Sequence, residues 1–154
     1  MPRPLTVGLI SDTHNLLRPQ ALQALAGCDH LIHAGDICEP AVLEGLRELA
    51  PLTAVRGNND RGAWAEALPE QARVELASVR LLVIHDIADL RGAVNADVVI
   101  HGHSHRPGQV MRSGVLYVNP GSAGPRRFRL PIAIARLRLD AGVVDVEIIY
   151  LEAA

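Results

Sequence analysis

The N-terminal half of the chain alternates short apolar runs with segments of helical periodicity. Three apolar runs predict buried strands, at residues 5–10, 31–34 and 52–55. The segments between them predict two helices, which begin at Pro19 and at Pro40. This βαβαβ order predicts parallel strands joined by right-handed crossovers.

The C-terminal half, after Pro69, carries apolar runs separated by short connections. These runs predict six strands, at residues 73–79, 81–84, 98–100, 115–118, 132–139 and 143–151. The last two strands predict a hairpin whose core-facing side chains are Val144, Val146, Ile148 and Tyr150. We therefore expect an α/β fold, a two-sheet β-sandwich flanked by helices, in one domain over residues 1–154.

Polar residues of the kind that bind metal ions follow the carboxyl ends of these predicted strands. They occur in five segments: Asp12-Thr13-His14, Gly35-Asp36, Gly57-Asn58-Asn59-Asp60, His85 and Gly102-His103-Ser104-His105. In open α/β sheets, ligands bind beyond the carboxyl ends of the strands, so we expect these segments to converge on one rim. Imidazole, carboxylate and carboxamide groups together suit borderline metals better than Mg²⁺ or Ca²⁺.

Glycine stands beside the candidate ligands at three positions, Gly35, Gly57 and Gly102. Glycine permits turns and close backbone approach that a Cβ would block. We therefore expect the backbone itself to crowd against the site at these positions.

Composition excludes several other classes of protein. The chain has 154 residues, 49% of them hydrophobic and 21% charged, which is typical of a soluble globular domain. A formal net charge of −2 argues against stable nucleic-acid binding. No apolar run approaches the roughly 18 to 20 residues of a membrane span, and Cys28 and Cys38 form no CxxC pair. We expect a cytoplasmic protein without a membrane partner. Whether the chain forms a homo-oligomer is left open.

Taken in order, the five segments resemble the calcineurin-like metallophosphoesterase superfamily over residues 12–105. The short chain and the segment Asn119-Pro120-Gly121-Ser122 resemble its small YfcE-type bacterial and archaeal phosphodiesterases. The resemblance implies a four-layer fold and two divalent metal ions bridged by Asp36. It assigns the first ion to Asp12, His14, Asp36 and His105. It assigns the second ion to Asp36, Asn58, His85 and His103.

The same resemblance implies an enzyme that hydrolyses a small phosphodiester by attack of a metal-bridging hydroxide. Mn²⁺ is the expected ion, and Fe, Ni, Zn and Co are alternatives. We expect catalytic roles for Asn58, Asp60 and His103, and substrate contacts from Asn59 and Arg126. For Asp60, a helix cap and a partner that orients a ligand are alternatives. The remaining histidines, His30, His33 and His101, are expected to have structural or supporting roles.

Two positions depart from the pattern of the superfamily. Asn59 stands where the larger phosphatases place a histidine that protonates the leaving group, so diesters with good leaving groups should react best. Asp86 stands where relatives commonly have glycine, and the sequence does not indicate what this changes. Two other functions stay open, a phosphomonoesterase or nucleotidase acting on small metabolites and a metal-free protein-interaction scaffold.

Overall fold

The structure is a computed structural model that describes residues 3–127 and 129–151. Its strands, in chain order, are β1 (Leu5–Ile10), β2 (His30–His33), β3 (Leu52–Ala54), β4 (Gln71–Leu76), β5 (Val79–Ile84), β6 (Val98–Ile100), β7 (Gly108–Arg112), β8 (Val115–Asn119), β9 (Ile132–Asp140) and β10 (Val143–Leu151). Its helices are α1 (Pro19–Leu25), α2 (Pro40–Arg47) and the single turn α3 (Ala63–Glu66). A short 3₁₀ helix covers Ile87–Asp89.

The strands form two mixed five-stranded sheets. The first sheet has the order β10-β9-β1-β2-β3, in which β1, β2 and β3 are parallel, as the βαβαβ pattern predicts. The second sheet has the order β4-β5-β6-β8-β7, with a parallel centre of β5, β6 and β8. Its two edge strands, β4 and β7, are antiparallel to their neighbours.

The main core lies between the two sheets. Val7 and Leu9 of β1 pack there with Leu81 and Val83 of β5, and all four are buried. A second core lies on the other face of the first sheet, where α1 and α2 pack against the strands. The outer face of the second sheet is covered by the 3₁₀ helix and the loop that follows it. The predicted α/β sandwich is thereby confirmed, with α-helices packed on one of its outer faces.

The predicted strands match the structure to within one residue at each end, except in one region. The predicted strand at 73–79 runs through a turn at Ala77 and Ser78, whose φ angles are 49° and 64°. Their small side chains sit between two apolar runs, so the periodicity alone does not mark the turn. The strands on either side are Gln71–Leu76 and Val79–Ile84, which form a hairpin.

One strand was missed, and one expectation needs correction. Strand β7 was not predicted, because four of its five residues are exposed and it therefore lacks a buried pattern. Tyr150 does not face the core, since it is 62% exposed, whereas Val144, Val146 and Ile148 on the same strand do pack against the core. The predicted hairpin of β9 and β10 around Asp140-Ala141-Gly142 is confirmed.

Within the described ranges, no helix is both long and apolar enough to cross a membrane.

Candidate metal centre

The candidate ligands follow strand ends that lie at one rim of the two sheets. Asp12 and His14 follow β1, and Asp36 follows β2. His85 comes directly after β5, and His103 follows β6 in the facing sheet. The rim therefore combines side chains from both sheets, which are far apart in sequence.

The first group of ligand atoms, which we name the inner half, consists of Asp12, His14 and His105. Asp12 Oδ1 lies 3.4 Å from His105 Nε2 and 3.8 Å from His14 Nε2. Their ligand atoms all lie within 4.8 Å of one another. Among the described residues, neither Asp12 Oδ1 nor His14 Nε2 has a hydrogen-bond partner, although both atoms are buried. Buried polar atoms without partners are costly, so a cation is the natural occupant of the space between them.

The carboxylate of Asp12 is held through its other oxygen. Asp12 Oδ2 accepts hydrogen bonds from Ser11 Oγ at 2.7 Å and from the backbone N–H of His103 at 3.1 Å. Both donors lie in rim loops, one after β1 and one after β6. The carboxylate is thus fixed with Oδ1 directed into the cluster.

The second group of ligand atoms consists of Asp12, Asp36 and His85, which also lie within 4.8 Å of one another. We give the name outer half to Asn58, His85 and His103, which are the predicted ligands of the second ion besides Asp36. His85 Nε2 lies 3.3 Å from Asp36 Oδ2 and 3.8 Å from Asp12 Oδ1. Its Nδ1 donates to the carbonyl of Ala34 at 2.7 Å, which directs Nε2 into the site. Asp36 Oδ2 also lies 3.7 Å from His14 Nε2, so this carboxylate stands between the two halves.

The amide of Asn58 lies beside Asp36 and His85. Its Oδ1 points inward and lies 3.0 Å from His85 Nε2. Turned over, the amide would instead donate N–H bonds to Asp36, 3.3 Å from each oxygen, and to His85 Nε2. In either orientation the amide lies against both Asp36 and His85, where its oxygen could serve as a ligand of a borderline metal ion.

His103 is less enclosed than the other histidines of the site. Its side chain is 46% exposed, whereas that of His85 is 5% exposed. The two rings meet edge to face, with centroids 5.2 Å apart. Among the described residues, the two clusters of Asp and His ligand atoms are consistent with a binuclear site, and His103 belongs to neither cluster. The metal-ligand roles of His103 and of the other six residues stay predictions.

The charges of the site differ between the two halves. Burial disfavours the imidazolium of His85, but the contacts with Asp36 and Asp12 outweigh it and raise the pKa of His85 to about 9. For His14 burial prevails over the same two carboxylates, so its pKa is lowered. The pKa of Asp36 is also lowered, since His85 and two bonds from Asn59 outweigh its burial. In the metal-free protein at neutral pH, the site thus holds two carboxylates, a neutral His14 and a protonated His85.

Asp60 connects two of the rim loops. Its carboxylate accepts backbone N–H bonds from Gly57 at 2.8 Å, Asp36 at 3.0 Å and Cys38 at 2.7 Å. These contacts fit the alternative in which Asp60 orients a ligand instead of touching substrate. We therefore treat Asp60 as a positioning residue.

Asn59, expected to contact substrate, is directed at Asp36. Its backbone N–H and its Nδ2 each donate to one carboxylate oxygen of Asp36, both at 2.9 Å. These two hydrogen bonds fix the position of the Asp36 carboxylate. A role for Asn59 in binding substrate stays a prediction.

The backbone at the site is in an uncommon conformation. Five of the seven predicted ligands have positive φ angles: Asp12 (54°), His14 (44°), Asp36 (57°), His103 (70°) and His105 (63°). Non-glycine residues in this region cost on the order of 1 to 3 kcal/mol each and cluster at functional sites. The concentration of strain at the rim is thus an independent sign of function.

The glycines at the rim permit the close approach that the sequence predicts. A Cβ on Gly57 would lie 2.2 Å from Asp36 Oδ1, and a Cβ on Gly102 would lie 2.6 Å from Asp12 Oδ2. Any larger residue would displace one of the two carboxylates. The expectation that the backbone approaches the site closely at these glycines is confirmed.

His33 has a structural role, as expected. It is fully buried, and its Nδ1 accepts from the backbone N–H of Gly35 at 3.0 Å. Nε2 then donates to Thr13 Oγ1 at 3.1 Å, and this hydroxyl donates to the carbonyl of Ile37. Burial lowers the pKa of His33 to about 3, so it stays neutral and connects the loops behind the ligands.

Sequence reasoning missed several supporting residues. Asn119 Nδ2 donates to the carbonyl of Gly102 at 3.2 Å, and Ser122 Oγ donates to the carbonyl of Asp12 at 3.0 Å. The segment 119–122 was noted for its resemblance, but nothing in the sequence gives these contacts. The predicted substrate contact Arg126 is exposed, whereas the charge of the adjacent Arg127 helps to lower the pKa of His14. A role for Arg126 stays a prediction.

A groove of about 850 Å³ opens beside the outer half of the site. Asn58, His85 and His103 are among the residues that line it. The rest of its wall mixes three arginines, Arg56, Arg61 and Arg91, with several acidic residues. A small polar molecule could reach the outer half directly through this groove.

Comparison with known proteins gives consistent matches. The model of the calcineurin-like phosphoesterase superfamily domain matches residues 5–142. A probable metallophosphoesterase of Methanothermobacter thermautotrophicus is 34% identical over 160 residues, covering 94% of this chain and 92% of that protein. A phosphodiesterase of Methanocaldococcus jannaschii is 28% identical over 139 residues, covering 76% of this chain and 83% of that protein. The structure of YfcE, a phosphoesterase from E. coli, has a TM-score of 0.72 at 27% identity. The match covers 86% of this chain and 88% of YfcE.

Proposed function

Because the chain belongs to the calcineurin-like phosphoesterase superfamily, we propose that it is a phosphodiesterase that acts with two divalent metal ions. The observation that carries this proposal is the pair of Asp and His clusters at one rim, which share the carboxylate of Asp12. Two further observations support a metal site: buried ligand atoms lack hydrogen-bond partners among the described residues, and the backbone at the rim is strained.

The residues present fit two borderline divalent ions. The inner half would hold one ion with Asp12, His14 and His105, and the outer half would hold the other with Asn58, His85 and His103. Asp36 lies within 3.7 Å of both His14 and His85 and would be shared. When bound, two such ions would make a water molecule more acidic and thus a better nucleophile, and they would neutralise charge on the phosphoryl group. Mn²⁺ is the proposed ion, with Fe, Ni, Zn and Co as alternatives.

The protein's own residues orient the carboxylate ligands and restrict which substrates can react. Ser11 and the backbone of His103 hold Asp12, and Asn59 holds Asp36 through both carboxylate oxygens. An amide such as Asn59 cannot protonate a leaving group, and general acid catalysis is typically worth 10² to 10⁴ in rate. Substrates whose leaving groups need no proton, such as aryl diesters, are therefore favoured.

The groove supports a small substrate. Its volume of about 850 Å³ falls within the usual size of small-molecule sites. Arg56 is paired with Glu70 at 3.0 Å, and further acidic residues line the wall, so the groove does not offer a continuous basic surface to a nucleic acid. The expectations of no nucleic-acid partner, a cytoplasmic location and an open oligomeric state stay predictions.

The test is hydrolysis of bis(p-nitrophenyl) phosphate by protein that is stripped of metal and then reloaded with Mn²⁺. We expect rates that depend on the added ion and exceed those on p-nitrophenyl phosphate. A higher rate on the monoester would favour the monoesterase alternative. Less than one bound equivalent of metal after loading, by elemental analysis, would favour the metal-free scaffold.

A further inference from the structure

Asp86, at the position where the resemblance leads one to expect glycine, is anchored by the turn that it begins. It follows His85 directly, and its Oδ1 accepts from the backbone N–H of Ala88 at 3.0 Å. This bond caps the 3₁₀ helix Ile87–Asp89. One oxygen of the carboxylate is therefore committed to the local backbone, and the direction of the other is fixed.

The second oxygen of Asp86 faces the most exposed histidine of the site. Asp86 Oδ2 lies 3.6 Å from His103 Nε2, which is a few tenths of an ångström longer than a hydrogen bond, so a small rotation of the ring would bring the two atoms into contact. The neighbours that fix His103 are Asp12, which binds its backbone N–H, and His85, whose ring meets it edge to face. Neither of these contacts determines which ring nitrogen carries the proton.

We propose that Asp86 is a positioning residue that holds His103 through Nε2 and so leaves Nδ1 as the nitrogen that binds the outer metal ion. A carboxylate beside one imidazole nitrogen stabilises the proton there, fixes the ring and increases the basicity of the other nitrogen. Glycine at position 86 could supply none of these effects. This inference rests on the proposed metal-dependent function and assigns a role to a residue that the superfamily pattern does not predict.

The arrangement compensates for exposure. His85 is enclosed and tied to the carbonyl of Ala34, whereas His103 has a side chain nearly half exposed. A freely rotating exposed imidazole loses conformational entropy when it binds metal. Restricting the ring beforehand reduces that cost, so Asp86 strengthens the half of the site that faces the groove.

The experiment compares metal binding by the whole chain and three variants. Asp86→Ser keeps a side-chain oxygen able to cap the turn but removes the carboxylate beside His103. Asp86→Asn keeps both an acceptor and a cap but removes the charge. Asp89→Asn, an exposed acid in the same turn that also lines the groove, is the matched control.

Titration of Zn²⁺ into metal-free protein by calorimetry should resolve two affinities. We expect Asp86→Ser to weaken the outer affinity about 10- to 100-fold, the usual effect of losing a partner of a ligating histidine, with the inner affinity unchanged. Asp86→Asn should lose less, and Asp89→Asn should bind as the wild type does. Wild-type affinities in Asp86→Ser would overturn the inference.

A second measurement reads the ring directly. In the Zn²⁺-loaded wild type, ¹⁵N spectra of the histidine side chains should show His103 bound through Nδ1 with the proton on Nε2. Binding through Nε2 would overturn the inference even if two ions are bound and aryl diesters are hydrolysed. Failure of the wild type to bind two ions would instead count against the proposed function itself, so the two failures are distinguishable.

Discussion

The inner and outer halves of the metal centre are built from similar residues but differ in burial and charge. In the inner half, Asp12 and His105 are buried, and His14 is neutral with Nε2 unpartnered among the described residues. In the outer half, Asn58 and His103 are exposed, and the pKa of His85 is raised to about 9. The inner half is thus free to accept a cation, whereas the outer half holds a proton in its place.

The difference has a consequence for metal binding and substrate access. Binding in the outer half must displace the proton of His85, and metal affinity falls when a ligand must first lose a proton. We therefore expect the inner ion to bind more tightly and the outer ion to exchange more readily. The groove opens beside the outer half, so the weaker ion is also the one nearest to an entering substrate.

Asp36→Asn should remove the distinction between the halves, because Asp36 lies beside both His14 and His85. Each ion contributes several kcal/mol of transition-state stabilisation, and 1.36 kcal/mol is a factor of ten, so we expect kcat/KM on bis(p-nitrophenyl) phosphate to fall at least about 10³-fold. Both metal affinities should fall in calorimetry.

The control for this substitution is Asp145→Asn, which changes an exposed aspartate on β10 away from the rim. It should retain wild-type activity and metal content. Retention of either metal affinity by Asp36→Asn would show that its carboxylate is not shared.

His105→Gln tests the inner half alone. Loss of a partner to a ligating histidine costs 10- to 100-fold in metal affinity, so loss of the histidine itself should cost more than about 100-fold at the inner position. The outer affinity should change much less, since His105 belongs to the inner cluster. His30→Gln, which alters a half-buried histidine bonded to Thr53, is the matched control. Equal losses at both positions would contradict the division into halves.

Asp60→Ala should weaken the connection between the loops that carry Asp36 and Gly57. Three backbone N–H groups lose their acceptor, and at about 1 kcal/mol each the free energy of unfolding should fall by about 3 kcal/mol. Urea unfolding of the metal-free protein, with Asp145→Ala as the control, measures this effect. An unchanged midpoint would mean that the loops are held in another way.

The pH dependence of metal binding should separate the two halves. Because the pKa of His85 is about 9, the outer affinity should rise about tenfold per pH unit between pH 6 and 8, as one proton is displaced. The inner affinity should rise less, since His14 is already neutral. Calorimetry at pH 6, 7 and 8 measures both values, and parallel slopes would contradict the assignment of the proton to His85.

The same proton affects the stability of the metal-free protein. The folded pKa of His85 lies above its ordinary value of 6.5, so its contribution is fully present below pH 6.5 and is lost as the pH rises through about 9. Thermal unfolding at pH 6.5 and pH 9 should therefore show a lower midpoint at the higher pH, unless metal is bound.

Local patterns in the sequence predicted most of the fold. The runs at 5–10, 98–100 and 143–151 match β1, β6 and β10, because apolar runs between polar segments are a local signal. Strand β7 was missed, since its residues are mostly exposed and its partner β8 provides the hydrogen bonds. The turn at Ala77 was missed because its positive φ angle leaves no mark in the pattern of apolar residues.

By itself the sequence indicated most of the strands, and through its resemblance to the superfamily it indicated the residues that could bind two metal ions. Strands have a characteristic periodicity, and borderline metals have preferred ligand atoms, so both signals are local in the sequence. Only the tertiary structure decided that His14 is neutral while His85 is protonated, that Asp60 binds backbone, and that Asp86 faces His103. Burial and distance set these properties, and both depend on loops from two sheets that meet only when the chain is folded.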